Sequence, residues 1–202
     1  MDTFDAIYQR RSIKHFDSDH RLTPEEEKKL LEATIQSPSS FNIQHWRFLI
    51  LRDPKLRQTI REQYGKNQAQ MTDASLLILM AADMKAWQKE PGRYWRNAPK
   101  EVADLLVGWM GPFHEGREWL QRDEAQRSIG IAMQTLMLAA KAMGYDSCPM
   151  IGFDIEKVAE LVQLPPDYVI GPMVAIGKRT EDARPKGGQL ALEELVKENS
   201  FA

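Results

Sequence analysis

Pro38-Ser39-Ser40-Phe41-Asn42-Ile43-Gln44-His45-Trp46 is the stretch on which the reading of this chain turns. A proline opens it, and serines, an asparagine and a glutamine present hydroxyl and amide groups where a helix has to stop. Upstream, Thr23-Pro24-Glu25-Glu26 supplies an N-cap, a proline at the first helical position and early acids. Leu30, Leu31, Thr34 and Ile35 keep the helical period, so a helix is predicted to about Ser37. Downstream, Trp46 to Leu51 predicts a strand. A short polar loop therefore joins a helix to a strand.

Further toward the N-terminus, residues 3 to 10 predict a short helix with Phe4, Ile7 and Tyr8 on one face, followed by extended chain from Ser12 to Phe16. The junction, Arg10-Arg11-Ser12-Ile13-Lys14, gathers guanidinium, hydroxyl and ammonium groups suited to a phosphate and a second anionic centre. Taken alone, the same cluster also reads as the solvated basic end of a helix.

Toward the C-terminus, Asp53-Pro54 starts a helix to about Tyr64, and the near-continuous apolar run from Ser75 to Ala82 predicts a centrally buried strand beside Trp46 to Leu51. Between Asp83 and Gln121 the pattern weakens, with Trp87, Trp95, Trp109 and Trp119 among prolines, glycines and charges. From Asp123 a helix resumes, apolar on most sides through Ile129, Leu136 and Met137, with Gly144 as its C-cap. Tyr145 to Met150 predicts a short strand, Ile155 to Leu164 a helix capped by Asp154, and Tyr168 to Gly177 the last strand. Pro172 marks an irregular or edge position there, and Leu190 to Lys197 predicts a terminal helix. This order of elements favours a mixed α/β/α arrangement of the α+β class, a sheet covered by helices on both faces.

Composition narrows function. The 202 residues suit one domain, or half of a dimer with a shared core. A mean hydropathy of -0.48 and apolar stretches well short of the roughly 20 residues a bilayer requires predict no membrane span. The acidic start, Met1-Asp2-Thr3-Phe4-Asp5, is unlike a secretory signal, and the single Cys148 excludes an internal disulfide, so a cytoplasmic location is expected. With 27 Lys plus Arg against 29 Asp plus Glu, the net charge of -2 argues against nucleic acid as a partner. No dinucleotide, phosphate-loop, nucleophile-elbow or zinc-protease motif is present, and His15, His20, His45 and His114 lack ligand spacing and read as isolated and exposed. No metal is expected, and redox chemistry would need a borrowed cofactor.

The two segments 10–14 and 38–46, taken together, resemble the flavin site of the nitroreductase family. The likeness continues through Tyr64-Gly65-Lys66-Asn67, Pro149-Met150-Ile151-Gly152-Phe153 and Gly177-Lys178-Arg179, and covers nearly the whole chain. It implies a central, mostly antiparallel sheet flanked by helices in one domain spanning 1–202, an intertwined homodimer, and FMN as cofactor. It further implies NAD(P)H as co-substrate and a nitroaromatic, quinone or similar small acceptor reduced by a ping-pong scheme.

Carried over by position, the resemblance puts Arg10, Ser12 and Lys186 around the FMN phosphate, counts Arg11 among the cofactor-binding residues, and puts Lys14 on the pyrimidine side, as electrostatic support where negative charge develops. Asn67 and Gln70 belong to the ring edge, and Pro149, Met150, Ile151 and Gly152 to the stretch whose backbone N–H faces flavin N5. Pro38, Ser39, Ser40, Asn42 and Gln44 match the segment that the partner subunit lays over the same flavin. No side chain is expected to act directly in the chemistry. Phe41, Trp109 and Phe113 are expected at the acceptor pocket, under a variable helical excursion at about 84–121. Three positions depart from the family pattern: Gln70 stands where many relatives carry a second lysine, Ile151 replaces a frequent acid, and Gly188 replaces an arginine for which Arg179 or Arg184 would substitute. Competing readings are a specialised FMN reductase acting on halogenated or enone substrates, a flavin carrier or sensor without turnover, and a nucleic-acid domain using the basic patch.

Overall fold

Alternation along one strand organises the molecule. In the computed structural model, which describes residues 1–201, β2 (Leu76–Asp83) is buried along its whole length, and its side chains divide by parity. Leu76, Ile78, Met80 and Ala82 enter one hydrophobic cluster, while Leu77 and Leu79 enter another. β4 (Tyr168–Gly177) repeats the split, with Val174 and Ile176 set against Met173 and Ala175. A strand with two dry faces must be apolar throughout, which is why this region reads as an unbroken run. Each fully buried Leu or Ile contributes about 1.5–3 kcal/mol.

The sheet is antiparallel in the order β1-β2-β4-β3, with β1 (Trp46–Ile50) and β3 (Asp146–Met150) at its edges. On one face lie α2 (Pro24–Thr34) and the long α6 (Glu118–Ala142), through Leu30, Ile129 and Leu136. Thr23 closes α2 with a capping box to Glu26. The other face is covered through Ile60, Met71 and Val158. These come from α3 (Pro54–Thr59) with the π turn Ile60–Tyr64 that continues it, from α4 (Gln70–Asp73), and from α7 (Ile155–Leu161). α1 (Thr3–Gln9) packs on α6. No helix among the described residues is long and apolar enough to cross a membrane.

Several boundaries differ from those predicted. α2 ends at Thr34 rather than Ser37, because Ser37 turns back, its Oγ donating to Thr34 O at 2.7 Å. α6 begins five residues before Asp123 and α7 stops at Leu161, while the terminal helix is a single turn, α8 (Leu192–Leu195). Pro172 is irregular, as expected, but lies in a central strand and not at an edge. A bulge accommodates it: Leu79 pairs with Met173 and Ala81 with Ile170. Gln126 Nε2, from α6, donates to Ile170 O at 3.2 Å. Gly171 in this bulge is required, since a Cβ would stand 2.8 Å from Ile129 Cγ2 and 3.0 Å from Met80 O.

The segment that is illegible in sequence forms two 3₁₀ turns, Ala86–Gln88 and Pro91–Trp95, and then α5 (Lys100–His114). Its buried residues Ala86, Tyr94 and Met110 cluster with Ile43, and Phe41, Trp87 and Trp95 pack against them. The segment thus closes on the polar loop at 38–45 and has a small core of its own.

Candidate active site

The basic segment is held against the edge of the sheet. Ser12 bridges Ser147 in parallel register, Ile13 N–H donates to Ser147 O at 3.0 Å, and the Ile13 side chain is buried in the second cluster. This docking carries Lys14 to β3, where Nζ reaches Cys148 Sγ at 3.4 Å. The C-terminal segment returns to the same place, and Lys186 Nζ donates to Tyr8 O at 2.9 Å near the end of α1, beside its C-cap Arg10. Arg184 lines a pocket of about 110 Å³ with Ser12 and Lys14. Among the described residues, no carboxylate pairs with Arg10, Arg11, Lys14, Arg184 or Lys186. Arg179, by contrast, is engaged by Asp146 at 3.9 Å and Asp182 at 3.2 Å, so of the two proposed substitutes only Arg184 is free of a carboxylate partner.

A chain of side-chain amides runs behind Lys14. Gln68 Nε2 donates to Gly152 O and Gly65 O, both at 3.0 Å, and Gln68 Oε1 accepts from Gln70 Nε2 at 3.0 Å. Gln70, buried, also approaches Cys148 Sγ at 4.0 Å. Burial pushes the Cys148 thiol above its ordinary range, against the opposing pull of Lys14. Gln68 is missing from the sequence reading; its position one residue after the Tyr64–Asn67 motif is the only hint. Asn67 has positive φ (55°), and its Oδ1 accepts from Arg61 Nε at 3.0 Å. At Gly152 a Cβ would meet only Gln68 Nε2, at 3.6 Å, so nothing within the chain requires glycine there. Ile151 is 60% exposed beside this polar group.

A second group forms on the other side of the sheet. Phe41, Asn42 and Gln44 all have left-handed backbone, with φ of 50°, 54° and 53°, a conformation costing a non-glycine residue roughly 1–2 kcal/mol. Contacts hold it: Ser39 Oγ accepts from Gln44 N–H at 2.9 Å, Asn42 Nδ2 donates to Tyr94 O at 2.8 Å, and Ile43 between them is fully buried. Phe41 meets Phe113 at 5.3 Å and His114 at 5.8 Å between ring centroids, and Trp87 stacks on His114 at 5.5 Å. Pro38 is exposed and Ser40 half-buried. Trp109, one turn before Phe113 on α5, is 55% exposed and joins no ring contact.

The reading of all four histidines as exposed is corrected at three of them: His20 is half-buried, its ring centroid 5.6 Å from that of Tyr145. His45 and His114 are both fully buried, because Ile43 and the excursion form a core that the weak pattern at 84–121 conceals. His45 Nδ1 meets Ser128 Oγ at 3.1 Å, and His114 Nδ1 donates to Met110 O at 2.8 Å. Burial and the neighbouring His114 push the His45 imidazole down to about 4, with Arg47 adding to this and Asp83 opposing it. Burial lowers His114 as well. Both rings are therefore neutral at pH 7.

The structure thus brings Arg10, Arg11, Ser12, Lys14, Gln70, Cys148 to Gly152 and Lys186 to one region, and Pro38 to Gln44 with Phe113 to another. Among the described residues, no hydrogen bond, ion pair or ring contact joins the two within one chain.

A helix-covered antiparallel sheet whose edge carries uncompensated cations beside an apolar turn defines the class: an α+β oxidoreductase fold of the nitroreductase type. Residues 7–178 match the nitroreductase family, and the chain belongs to it. Protein DrgA of Synechocystis sp. is 79% identical over 183 residues, covering 91% of this chain and 87% of that protein. An NADH dehydrogenase of Thermus thermophilus is 31% identical, covering 97% and 95% of the two chains. Among solved structures, a protein of Exiguobacterium sibiricum described as a nitroreductase, in complex with FMN, superposes with a TM-score of 0.89 at 29% identity, covering 98% of this chain and 97% of that one.

Proposed function

We propose that this protein is an FMN-dependent oxidoreductase that passes hydride from NAD(P)H to a nitroaromatic, quinone or similar small acceptor, donor and acceptor using one pocket in turn. The observation that carries this reading is the cluster of Arg10, Arg11, Ser12, Lys14 and Lys186, none of them ion-paired to a carboxylate among the described residues although Glu181 and Asp182 line the same pocket, with Ser12 and Lys14 docked on β3. The donor set fits the cofactor: guanidinium, hydroxyl and ammonium groups suit a phosphate dianion, the Gln70 amide and Lys14 suit the polar edge of a ring, and exposed Ile151 suits its apolar face. When bound, FMN supplies reversible hydride acceptance and donation.

The remaining contributions come from the chain. Arg10, Arg11, Ser12 and Lys186 would hold the phosphate; Lys14, with Asn67 and Gln70, would orient the ring and stabilise negative charge along its pyrimidine edge. The amide chain Gln70-Gln68-Gly152 links that edge to the turn at 149–152 and keeps the two in register. Binding and orientation, rather than proton transfer, are the work of the protein.

Pro38, Ser39, Ser40, Asn42 and Gln44 would close the site from the partner subunit, in a homodimer. Two features support this: the two groups of site residues do not meet within one chain, and large apolar side chains lie open. Phe4 is 70% exposed, Tyr8 68% and Leu192 68%, more apolar surface than a lone chain is expected to leave uncovered. We read residues 1–202 as one domain in which 84–121 covers the acceptor, with Phe41 and Phe113 lining it and Trp109 at its mouth. The single reduced cysteine suits work in the cytoplasm.

The test is spectroscopic. Purified protein, supplied with FMN, is expected to show flavin bands at about 450 nm that bleach anaerobically on adding NADH or NADPH and return with a quinone or nitroaromatic. Absence of flavin uptake would refute the site; flavin that neither nucleotide bleaches would leave a carrier instead of an enzyme.

A further inference from the structure

A cavity of about 860 Å³ opens beside the loop at 38–44, between β1 and the turn Pro91–Trp95. Its lining carries three arginines, Arg47, Arg93 and Arg96, and no aspartate or glutamate, although the chain as a whole is acidic. Arg93 and Arg96 are three residues apart across a 3₁₀ turn and its C-cap, the spacing at which side chains eclipse one another. Arg47 lies 3.7 Å from the buried Asp83 and donates to Trp46 O at 2.7 Å, so it is already occupied. Neither Arg93 nor Arg96 has a carboxylate partner among the described residues; Arg93 lies over the Tyr94 ring at 4.9 Å and donates to its hydroxyl. Trp95 adds an indole whose buried Nε1–H has no acceptor. Two adjacent guanidinium groups without carboxylate partners, over an aromatic wall, form a receptor for a doubly charged anion carried on a planar ring.

We propose that this cavity binds the 2′-phosphoadenosine end of NADPH, with Arg93 and Arg96 gripping the 2′-phosphate, and that it sets the preference of the enzyme for NADPH over NADH. The inference rests on the flavin reading above, because Asn42 and Gln44, which line the same cavity, are the residues expected over the flavin. A volume near 860 Å³ accommodates a nucleotide, and the acid-free lining leaves nothing to repel three phosphates. The unphosphorylated nucleotide gives the paired arginines no dianion to hold.

The experiment is a calorimetric titration of the FMN-loaded protein, wild type and the Arg93→Gln/Arg96→Gln double variant, with adenosine 2′,5′-bisphosphate, adenosine 5′-monophosphate and 4-nitrobenzoate. The bisphosphate is expected to bind the wild type and to bind the double variant roughly 10- to 100-fold more weakly, with the monophosphate weak in both. In parallel, the ratio of kcat/KM for NADPH to that for NADH falls by a similar factor, through KM. Equal bisphosphate binding by both proteins overturns the proposal, as does a loss confined to 4-nitrobenzoate, which would assign the arginines to an acidic acceptor. The titration requires no turnover and is repeated on the protein without added FMN, so if no FMN is taken up, that second titration still decides the cavity while the flavin reading fails separately.

Discussion

Acid should loosen the polar loop through His45. The imidazole is fully buried, faces Ser128, His114, Asp83 and Arg47, and is held at about 4 in the folded protein against an ordinary 6.5. In the unfolded chain it titrates near the ordinary value, so between pH 6.5 and 4 the unfolded state binds more protons and stability falls as pH falls. The difference between these two values corresponds to roughly 3 kcal/mol, absent above pH 7 and almost fully expressed at pH 4. Lowered His114 pulls the same way. The assay is urea unfolding followed by tryptophan fluorescence at fixed protein concentration, from pH 7 to pH 4, for wild type and His45→Gln. Carboxylates titrate alike in both proteins, so the difference isolates the imidazole, and the variant is expected to lose roughly 2–3 kcal/mol less over this range. Parallel curves for the two proteins would refute the argument that His45 is buried as a neutral ring.

Three further outcomes follow from particular contacts. Gly171→Ala is expected to destabilise by about 1–3 kcal/mol, read from the urea midpoint, because its Cβ would press on Ile129 and on Met80 O. Arg57→Met should cost about 2–4 kcal/mol in the same measurement, since Arg57 clamps Met71 O at 2.6 Å and Ala74 O at 2.5 Å below β2. Lys14→Gln should make the reduction potential of bound FMN more negative, by on the order of 30–60 mV in a dye-equilibration titration, by removing positive charge from the ring edge.

Much of the sheet is legible because its central strands carry apolar side chains to both faces: Leu76 to Ala82 can belong only to a core, and Tyr168 to Gly177 has the bounds its pattern predicts despite Pro172. What failed was the reasoning from local pattern where tertiary contacts decide. Pro172 reads as an edge residue because a proline cannot donate to a ladder; the bulge that excuses it depends on Gly171 lying against Ile129 across the sequence. His114 reads as a surface residue because its burial depends on Phe41, Trp87 and Met110 converging from three segments, and His45 because its ring meets Ser128 of α6 from far along the chain. The basic half of the site was legible from Arg10 to Lys14, whereas the Gln68–Gln70 link to Gly152 was not, since a lone glutamine carries no periodic signal.

The most direct test of the shared site is flavin content in a mixed dimer. Arg10→Glu disables one half of the site and Ser40→Trp the other, and each variant alone should purify without FMN. Co-expressed with different tags and isolated as the heterodimer, the pair retains one site whose two halves are both unaltered, and one FMN per heterodimer is expected. A heterodimer without flavin would place both halves of each site within a single chain and contradict the account.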